Sequence, residues 1–329
     1  MSGVVLVAGG AGYVGSHVCL ALAQAGFTPV VYDNLSNGHA AFVQWGALEE
    51  GDIRDAARLD EVIALHRPIA LLHFAALIEV GESVRQPGRF YENNVAGTIT
   101  LIEAARRGGI EHMVFSSTCA TYGDPVHLPM DETHPQAPLN PYGRSKLMIE
   151  QVLADYSTYA GFRSVCLRYF NAAGADEAGR IGERHEPETH AIPLALQTAL
   201  GQRSGFKLFG DDYDTRDGTA VRDYIHVADL ADAHVRALTY LLEDGETTVF
   251  NLGTGAGTTV KELIEAIRRT TNRPFEVEIV ARRPGDAPCL VADNSRARDV
   301  LGWRPTRSLD EIVRSAWRWH AAELERSGD

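Results

Sequence analysis

An apolar run, Val4-Val5-Leu6-Val7-Ala8, leads straight into Gly9-Gly10-Ala11-Gly12-Tyr13-Val14-Gly15, and no other stretch narrows the fold as far. The run is β-branched and continuously apolar, as expected of a parallel strand buried on both faces. Gly10, Gly12 and Gly15 satisfy Gly-x-Gly-x-x-Gly where that strand turns into a helical stretch, Val14 to Gly26. Glycines at such a turn permit a tight bend, close backbone approach to a pyrophosphate and close helix–sheet packing, and the helix N-terminus favours negative charge. A second strand, Thr28–Tyr32, ends at Asp33, about 20 residues on, where a carboxylate would bind a ribose hydroxyl pair. Its charge would repel the extra phosphate of NADP, so NAD is the expected cofactor. A glycine-rich turn with an incidental aspartate is the plainer alternative, and the strand–turn–helix context weighs against it.

The pattern continues through the first half. Ile69–Phe74, His112–Ser117 and Ser164–Tyr169 read as further strands, with a third strand before Asp52; helical patterns lie at Ala56–His66, Phe90–Arg107 and Tyr142–Ala160. This alternation predicts an α/β fold, a doubly wound, Rossmann-type parallel sheet. Past residue 172 the pattern loosens, and Gly, Asp, Glu and Pro dominate Gly174–Pro193. Helical patterns return at Val227–Leu242, Val260–Thr271 and Leu309–Glu325. The expected organisation is a cofactor domain over residues 1–172 and a smaller, mixed α/β substrate domain over 173–329. Residues 227–252 are expected to pack back on the first domain.

Composition excludes several classes. A net charge of -13 argues against nucleic-acid backbones as partners. No apolar run approaches the roughly 20 residues of a membrane span, and the N-terminus carries no basic n-region, so a cytoplasmic address is expected. Four scattered cysteines contain no Cys-x-x-Cys pair, so neither a disulfide framework nor a zinc site of that type is indicated. Asp211-Asp212-Tyr213-Asp214 with Asp217 lacks EF-hand spacing, and His185 with His190 lacks a third ligand in the sequence, so no metal is expected.

Pro141-Tyr142-Gly143-Arg144-Ser145-Lys146 opens a helical stretch. Tyr142 and Lys146 are four residues apart, so phenol and ammonium share a helix face. A nearby cation favours the phenolate, which otherwise forms only around pH 10. The pattern taken alone is common on helix surfaces. Joined to Gly9, Gly12 and Gly15, it resembles the extended short-chain dehydrogenase/reductase superfamily, and within it the nucleotide-sugar 4-epimerases. Ordered matches run along nearly the whole chain: Asp33-Asn34-Leu35-Ser36, Gly51-Asp52-Ile53-Arg54, His73-Phe74-Ala75-Ala76, Asn93-Asn94-Val95, Leu167-Arg168-Tyr169-Phe170-Asn171, Arg222-Asp223-Tyr224-Ile225-His226 and Arg282-Arg283-Pro284-Gly285-Asp286.

The resemblance implies an isomerase that interconverts UDP-galactose and UDP-glucose through a 4-keto intermediate, with tightly bound NAD. Tyr142 would act as the base, Lys146 would bind the nicotinamide ribose and lower the pKa of Tyr142, and Thr118, in the family's usual serine position, would keep a hydroxyl on the substrate. The cofactor would be held by Gly9, Gly12, Tyr13, Val14, Gly15, Asp33, Asn34, Ser36, Asp52, Ile53, Phe74, Ala75, Ala76, Asn93 and Phe170, together with Tyr142 and Lys146. Asn171, His190, Arg222, Arg283 and Asp286 would hold the UDP-sugar, the arginine forks suiting its diphosphate. A homodimer is implied through helices near Phe90–Arg107 and Tyr142–Ala160.

Three positions depart from the family pattern. Ile78 stands where a lysine is usual, His190 lies near a usual asparagine, and Leu290 occupies a position whose size is linked to acceptance of N-acetylated sugars. Epimerisation of UDP-N-acetylglucosamine, UDP-glucuronate or UDP-xylose is the alternative of the same class. A catalytically silent NAD-binding regulator is an alternative of another class, and retention of Tyr142 and Lys146 weighs against it; a simple dehydrogenase with exchangeable NAD is a third, weaker alternative. Dehydration is disfavoured because Cys119 and Ala120 follow Thr118, where an acid–base carboxylate pair would be needed.

Overall fold

Successive side chains of the first strand, β1 (Val4–Ala8), leave opposite faces of the sheet. Val5 and Val7 enter one core with Val18, Leu22 and Leu238, whereas Leu6 and Ala8 enter a second with Leu59, Leu101 and Ile149. Both faces are therefore covered, which is why the run has no polar alternation. Each fully buried Val or Leu contributes about 1.5–3 kcal/mol. The computed structural model describes residues 2–283 and 285–327, so Pro284 lies outside the described residues.

The remaining strands of this sheet are β2 (Thr28–Asp33), β3 (Ala47–Glu50), β4 (Ala70–His73), β5 (His112–Thr118), β6 (Arg163–Tyr169) and β7 (Thr248–Leu252). They form a seven-stranded sheet in the order β7-β6-β5-β4-β1-β2-β3. Every pairing in it is parallel. Helices α1 (Tyr13–Gln24) and α5 (Val227–Leu242) cover one face, and α2 (Ala56–His66), α3 (Thr98–Arg107) and α4 (Pro141–Ala160) cover the other. The doubly wound α/β expectation is met. The chain leaves β1 toward β2 on one side and reaches β4 on the other, so a crevice opens at their carboxyl ends.

The C-terminal part is built on a separate core. Helices Ala191–Ala199, Val260–Thr271 and Leu309–Ser327 share it through Leu196, Leu263, Ile267, Ile312 and Val313. Three small sheets flank it: Phe206–Phe209 with Val277–Val280, Asn171–Ala173 with Tyr224–His226, and Val221–Arg222 between Thr258–Thr259 and Cys289–Leu290.

One helix differs from its expected form. Phe90–Arg107 is not a regular α-helix: Pro87–Phe90 is one short turn, Tyr91–Gly97 is a π-helix and α3 follows. Asn94 ties the wide turn to the chain before it, accepting from the Leu77 N–H at 2.9 Å and donating to the Leu77 carbonyl at 3.0 Å. Side-chain bonds to backbone at this point compete with the regular helical ladder.

Four buried histidines predict acid sensitivity. Burial lowers His17, His226 and His234 to about 4, and burial together with Lys146 lowers His73 to about 3. Each folded pKa lies below the unfolded value near 6.5, so the unfolded chain binds more protons in between, and stability is lost as pH falls from 6.5 toward 4. The loss is on the order of 3 kcal/mol for each histidine, together comparable with a domain's whole stability. Thermal melts should show the midpoint dropping steeply across that window; an unchanged midpoint at pH 4.5 would contradict neutral buried imidazoles.

Candidate active site

The crevice holds a cavity of about 380 Å³ lined by residues from the ends of β1, β2, β4, β5 and β6. At its β1 end the backbone turns through Gly9 at φ +81°, where a Cβ would lie 2.4 Å from the Ala75 nitrogen. At Gly15 a Cβ would lie 2.2 Å from the Gly9 carbonyl oxygen. Side chains are excluded at both positions, so the helix start can sit against the strand end. The N-cap of α1 is Gly12, with no side-chain cap bond and no acidic residue in the first turn. Its first N–H groups and positive dipole end therefore remain available to an anion.

Asp33 stands beside this cradle. Its carboxylate accepts from the Ala11 N–H at 3.0 Å and the Leu35 N–H at 2.9 Å. Burial raises its pKa, and these two bonds pull it back. Gly12, Tyr13, Val14, Asn34, Ser36 and Ile53 line the same end. Phe74, Ala75 and Ala76 form the wall after β4, and Asn93 enters from the π-helical turn. A close-backbone cradle, an uncapped helix start, a carboxylate and an apolar wall suit a dinucleotide.

The other end is organised by the start of α4. Asn140 caps it, accepting from the Gly143 N–H at 2.9 Å, and Pro141 follows at the first position. Gly161, at φ +67°, ends the helix. This entry aims Tyr142 and Lys146 at the cavity, which both line with Thr118. Lys146 is 3% exposed and its Nζ donates to the Ser116 carbonyl at 2.7 Å, over the Phe115 ring. Burial lowers its pKa to about 7, against the pull of Glu150. Burial raises the Tyr142 phenol, with Tyr169 adding to the shift, while a hydrogen bond with Thr118 acts in the other direction. The expected lowering by Lys146 is therefore not a property of the chain alone. The ammonium is turned to a backbone carbonyl, and desolvation of the phenol dominates.

Phe170, Asn171 and His190 also line the cavity, and Ile78 adds an apolar side chain to its wall. Four expected residues are not among its lining residues. Asp52 is turned to Arg54, at 2.7 Å, and accepts from the Asn34 amide at 3.0 Å. Arg222 donates to the Val221 and Ala287 carbonyls, both at 2.9 Å, and lies 3.7 Å from Asp286. Arg283 lies over the Phe209 ring at 3.7 Å. Burial raises the thiol of Cys119, a cavity residue, to about 12, with Arg222 acting in the other direction. Leu290 pairs with Arg222 between strands and packs with Phe170 behind the wall.

Sequence reasoning missed Ser116, Tyr169, Glu183 and His185, all of which line the cavity. Ser116 and Tyr169 sit at the ends of β5 and β6 and hydrogen-bond each other at 2.6 Å, so strand position was the available signal. The expectation that His185 and His190 have no third ligand is corrected: Glu183 and Glu188 lie beside both. His190 Nδ1 is 2.9 Å from Glu183 and 3.1 Å from Glu188, so that nitrogen faces two carboxylates. The signal was the spacing Glu-x-His-x-x-Glu-x-His over residues 183–190. Burial works against charging these imidazoles, but the two facing carboxylates outweigh it and raise His185 to about 9 and His190 to about 10.

Residues 5–253 match the model of the NAD dependent epimerase/dehydratase family. The chain is 68% identical over 317 residues to a curated UDP-glucose 4-epimerase of Rhizobium leguminosarum bv. trifolii, covering 96% of this chain and 97% of the relative. It superposes with TM-score 0.94 on the crystal structure of a Brucella ovis UDP-glucose 4-epimerase in complex with NAD, 51% identical, covering 96% of this chain and 97% of that one. A Stenotrophomonas maltophila UDP-glucose-4-epimerase with bound NAD and formylated UDP-arabinopyranose gives TM-score 0.96 at 41% identity, covering 98% and 99%.

Proposed function

Because the chain belongs to the NAD dependent epimerase/dehydratase family, we propose that it is an NAD-dependent isomerase that interconverts UDP-glucose and UDP-galactose at the sugar's carbon 4. The observation that carries this reading is the meeting of Tyr142, Lys146 and Thr118 in a cavity whose other end is the Gly9–Gly15 cradle. When bound, NAD supplies a hydride acceptor and donor, so that carbon 4 passes through a ketone and regains hydrogen on either face.

The chain's own groups do the remaining work. The α1 start and the glycine cradle would hold the pyrophosphate, and Asp33 would accept from the adenosine ribose hydroxyls. Lys146, one helical turn from Tyr142, would donate to the nicotinamide ribose when NAD is bound. Tyr142 takes the proton from the carbon-4 hydroxyl and returns it from Oη. Thr118, which lines the cavity with Tyr142, would orient that hydroxyl. Burial keeps the phenol protonated, so Tyr142 would need the positive charge that a bound nicotinamide supplies to reach working range. Asn171 and Arg222 would hold the UDP-sugar, with Arg283 and Asp286 on its diphosphate side; His190, expected there too, has its Nδ1 turned to Glu183 and Glu188.

Purified protein is expected to carry NAD and to interconvert UDP-galactose and UDP-glucose with no added cofactor. Protein that holds NAD yet turns over neither sugar nucleotide would sink the reading, and a panel adding UDP-N-acetylgalactosamine, UDP-glucuronate and UDP-xylose sets the substrate range.

A homodimer and a cytoplasmic location complete the proposal. Tyr159 is 85% and Met148 37% exposed on α4, apolar surface suited to a second copy. Light scattering should give twice the mass of the 35.9 kDa chain; a monomer at micromolar concentration would rule the dimer out. No helix among the described residues is long and apolar enough to cross a membrane.

A further inference from the structure

Glu183, His185, Glu188 and His190 converge where the cavity wall meets a smaller pocket lined by Trp319 and His320. Their donor atoms all lie within 4.8 Å of one another. His185 Nδ1 is 3.4 Å from Glu183 Oε1 and 3.7 Å from Glu188 Oε2; His190 Nδ1 is 2.9 Å from Glu183 Oε1 and 3.1 Å from Glu188 Oε1. A tetrahedral ion with ligand bonds of ~2.0–2.2 Å sets its ligands about 3.3–3.6 Å apart, and these separations straddle that range.

Two further observations point to a ligand. Among the described residues, the buried His185 Nδ1 has no hydrogen-bond partner, although it faces both carboxylates. Both carboxylates are 5% exposed, a pair of like charges that needs compensation of two positive charges. Two neutral imidazoles and one dication meet that need with no net charge.

The donors are also held from behind. Glu188 Oε1 accepts from the Thr189 and His190 N–H groups at 2.7 and 2.8 Å, and the Glu183 carbonyl accepts from Trp319 at 3.1 Å. The edge of the Tyr13 ring meets His185, 6.3 Å between centroids. We propose that these four side chains form a closed site for one tetrahedral transition-metal dication, zinc by its nitrogen and oxygen donors. With four protein ligands the ion has no open position, so its role is structural. It fastens residues 183–190, of which Glu183, His185 and His190 line the cavity, next to Tyr13 in the first turn of α1. The inference stands apart from the sugar-nucleotide reading, because metal content is read without turnover.

The test uses the whole protein, stripped with a chelator, mixed with one equivalent of Zn²⁺ or Co²⁺ and desalted. The expected result is near-stoichiometric zinc by elemental analysis and the intense visible absorption of tetrahedral Co²⁺. His185→Gln and Glu188→Gln should each lose retention, with far-UV circular dichroism unchanged. Chelation should lower the melting temperature of the wild type and leave those variants unmoved. Wild-type protein that keeps no more zinc than Glu188→Gln, or that gives only the weak spectrum of octahedral Co²⁺, overturns the site. The wild-type cobalt spectrum decides even if a variant fails to fold. Retained charge without metal would mean two imidazolium–carboxylate pairs instead.

Discussion

Tyr142→Phe is expected to lower turnover of UDP-galactose by roughly 10²–10⁴-fold, the usual contribution of a positioned general acid–base group. The substitution removes one oxygen and keeps the ring that fills the cavity wall. The entry of α4 depends on Asn140, Pro141 and the Gly143 N–H, so the helix should start unchanged. NAD content, read from released cofactor, should therefore stay near that of the wild type. The two measurements separate chemistry from binding. Near-normal turnover would remove Tyr142 as the base, and loss of NAD along with activity would make it a cofactor residue first.

Gly9→Ala should give protein nearly devoid of NAD and, for that reason, nearly inactive. The added Cβ would meet the Ala75 nitrogen at 2.4 Å and the Phe74 carbonyl carbon at 2.7 Å, both backbone atoms just past β4. Neither can swing aside as a side-chain tip could, because the Phe74 and Ala75 N–H groups are both bonded to the Ala8 carbonyl, at 2.7 and 3.1 Å. The left-handed φ of +81° adds strain of about 1–2 kcal/mol for an L-residue. The cheapest relief is to move the turn, which displaces the α1 start from the sheet and spoils the anion cradle. Cofactor stoichiometry measures this directly. Gly26→Ala is the control: its φ is also positive, at +88°, but nothing lies within 4 Å of the added atom. It should lose some stability and keep NAD. A Gly9→Ala protein with full NAD would show that the close approach is not what forms the site.

The strands and helices that frame the cavity were legible because their signals are local. β1 carries its burial on both faces as an unbroken apolar run, and α2 and α5 occupy the spans that periodicity marked out. The π-helical turn at Tyr91–Gly97 was not legible, since its cause, the bonds between Asn94 and Leu77, joins residues outside any helical period. The same limit applies to Asp52 and Arg222. Both have the residue type a ligand needs, but Arg54 takes the first, and carbonyls at Val221 and Ala287 hold the second. Which partner a charged side chain chooses depends on distances between segments, and spacing along the chain does not contain them.

By itself the sequence determined the alternation of strand and helix, the glycine turn with Asp33 behind it, and the tyrosine–lysine face at the start of α4. Each is a matter of backbone geometry over a few residues, where side-chain type dictates the outcome. Only the tertiary structure decided the electrostatic state of those groups. It turned Lys146 to the Ser116 carbonyl, buried Tyr142 so that its phenol is raised, and drew Glu183 and Glu188 around two histidines. Desolvation and Coulomb forces act through space, so they are set by what the fold brings near, however far apart it lies in the chain.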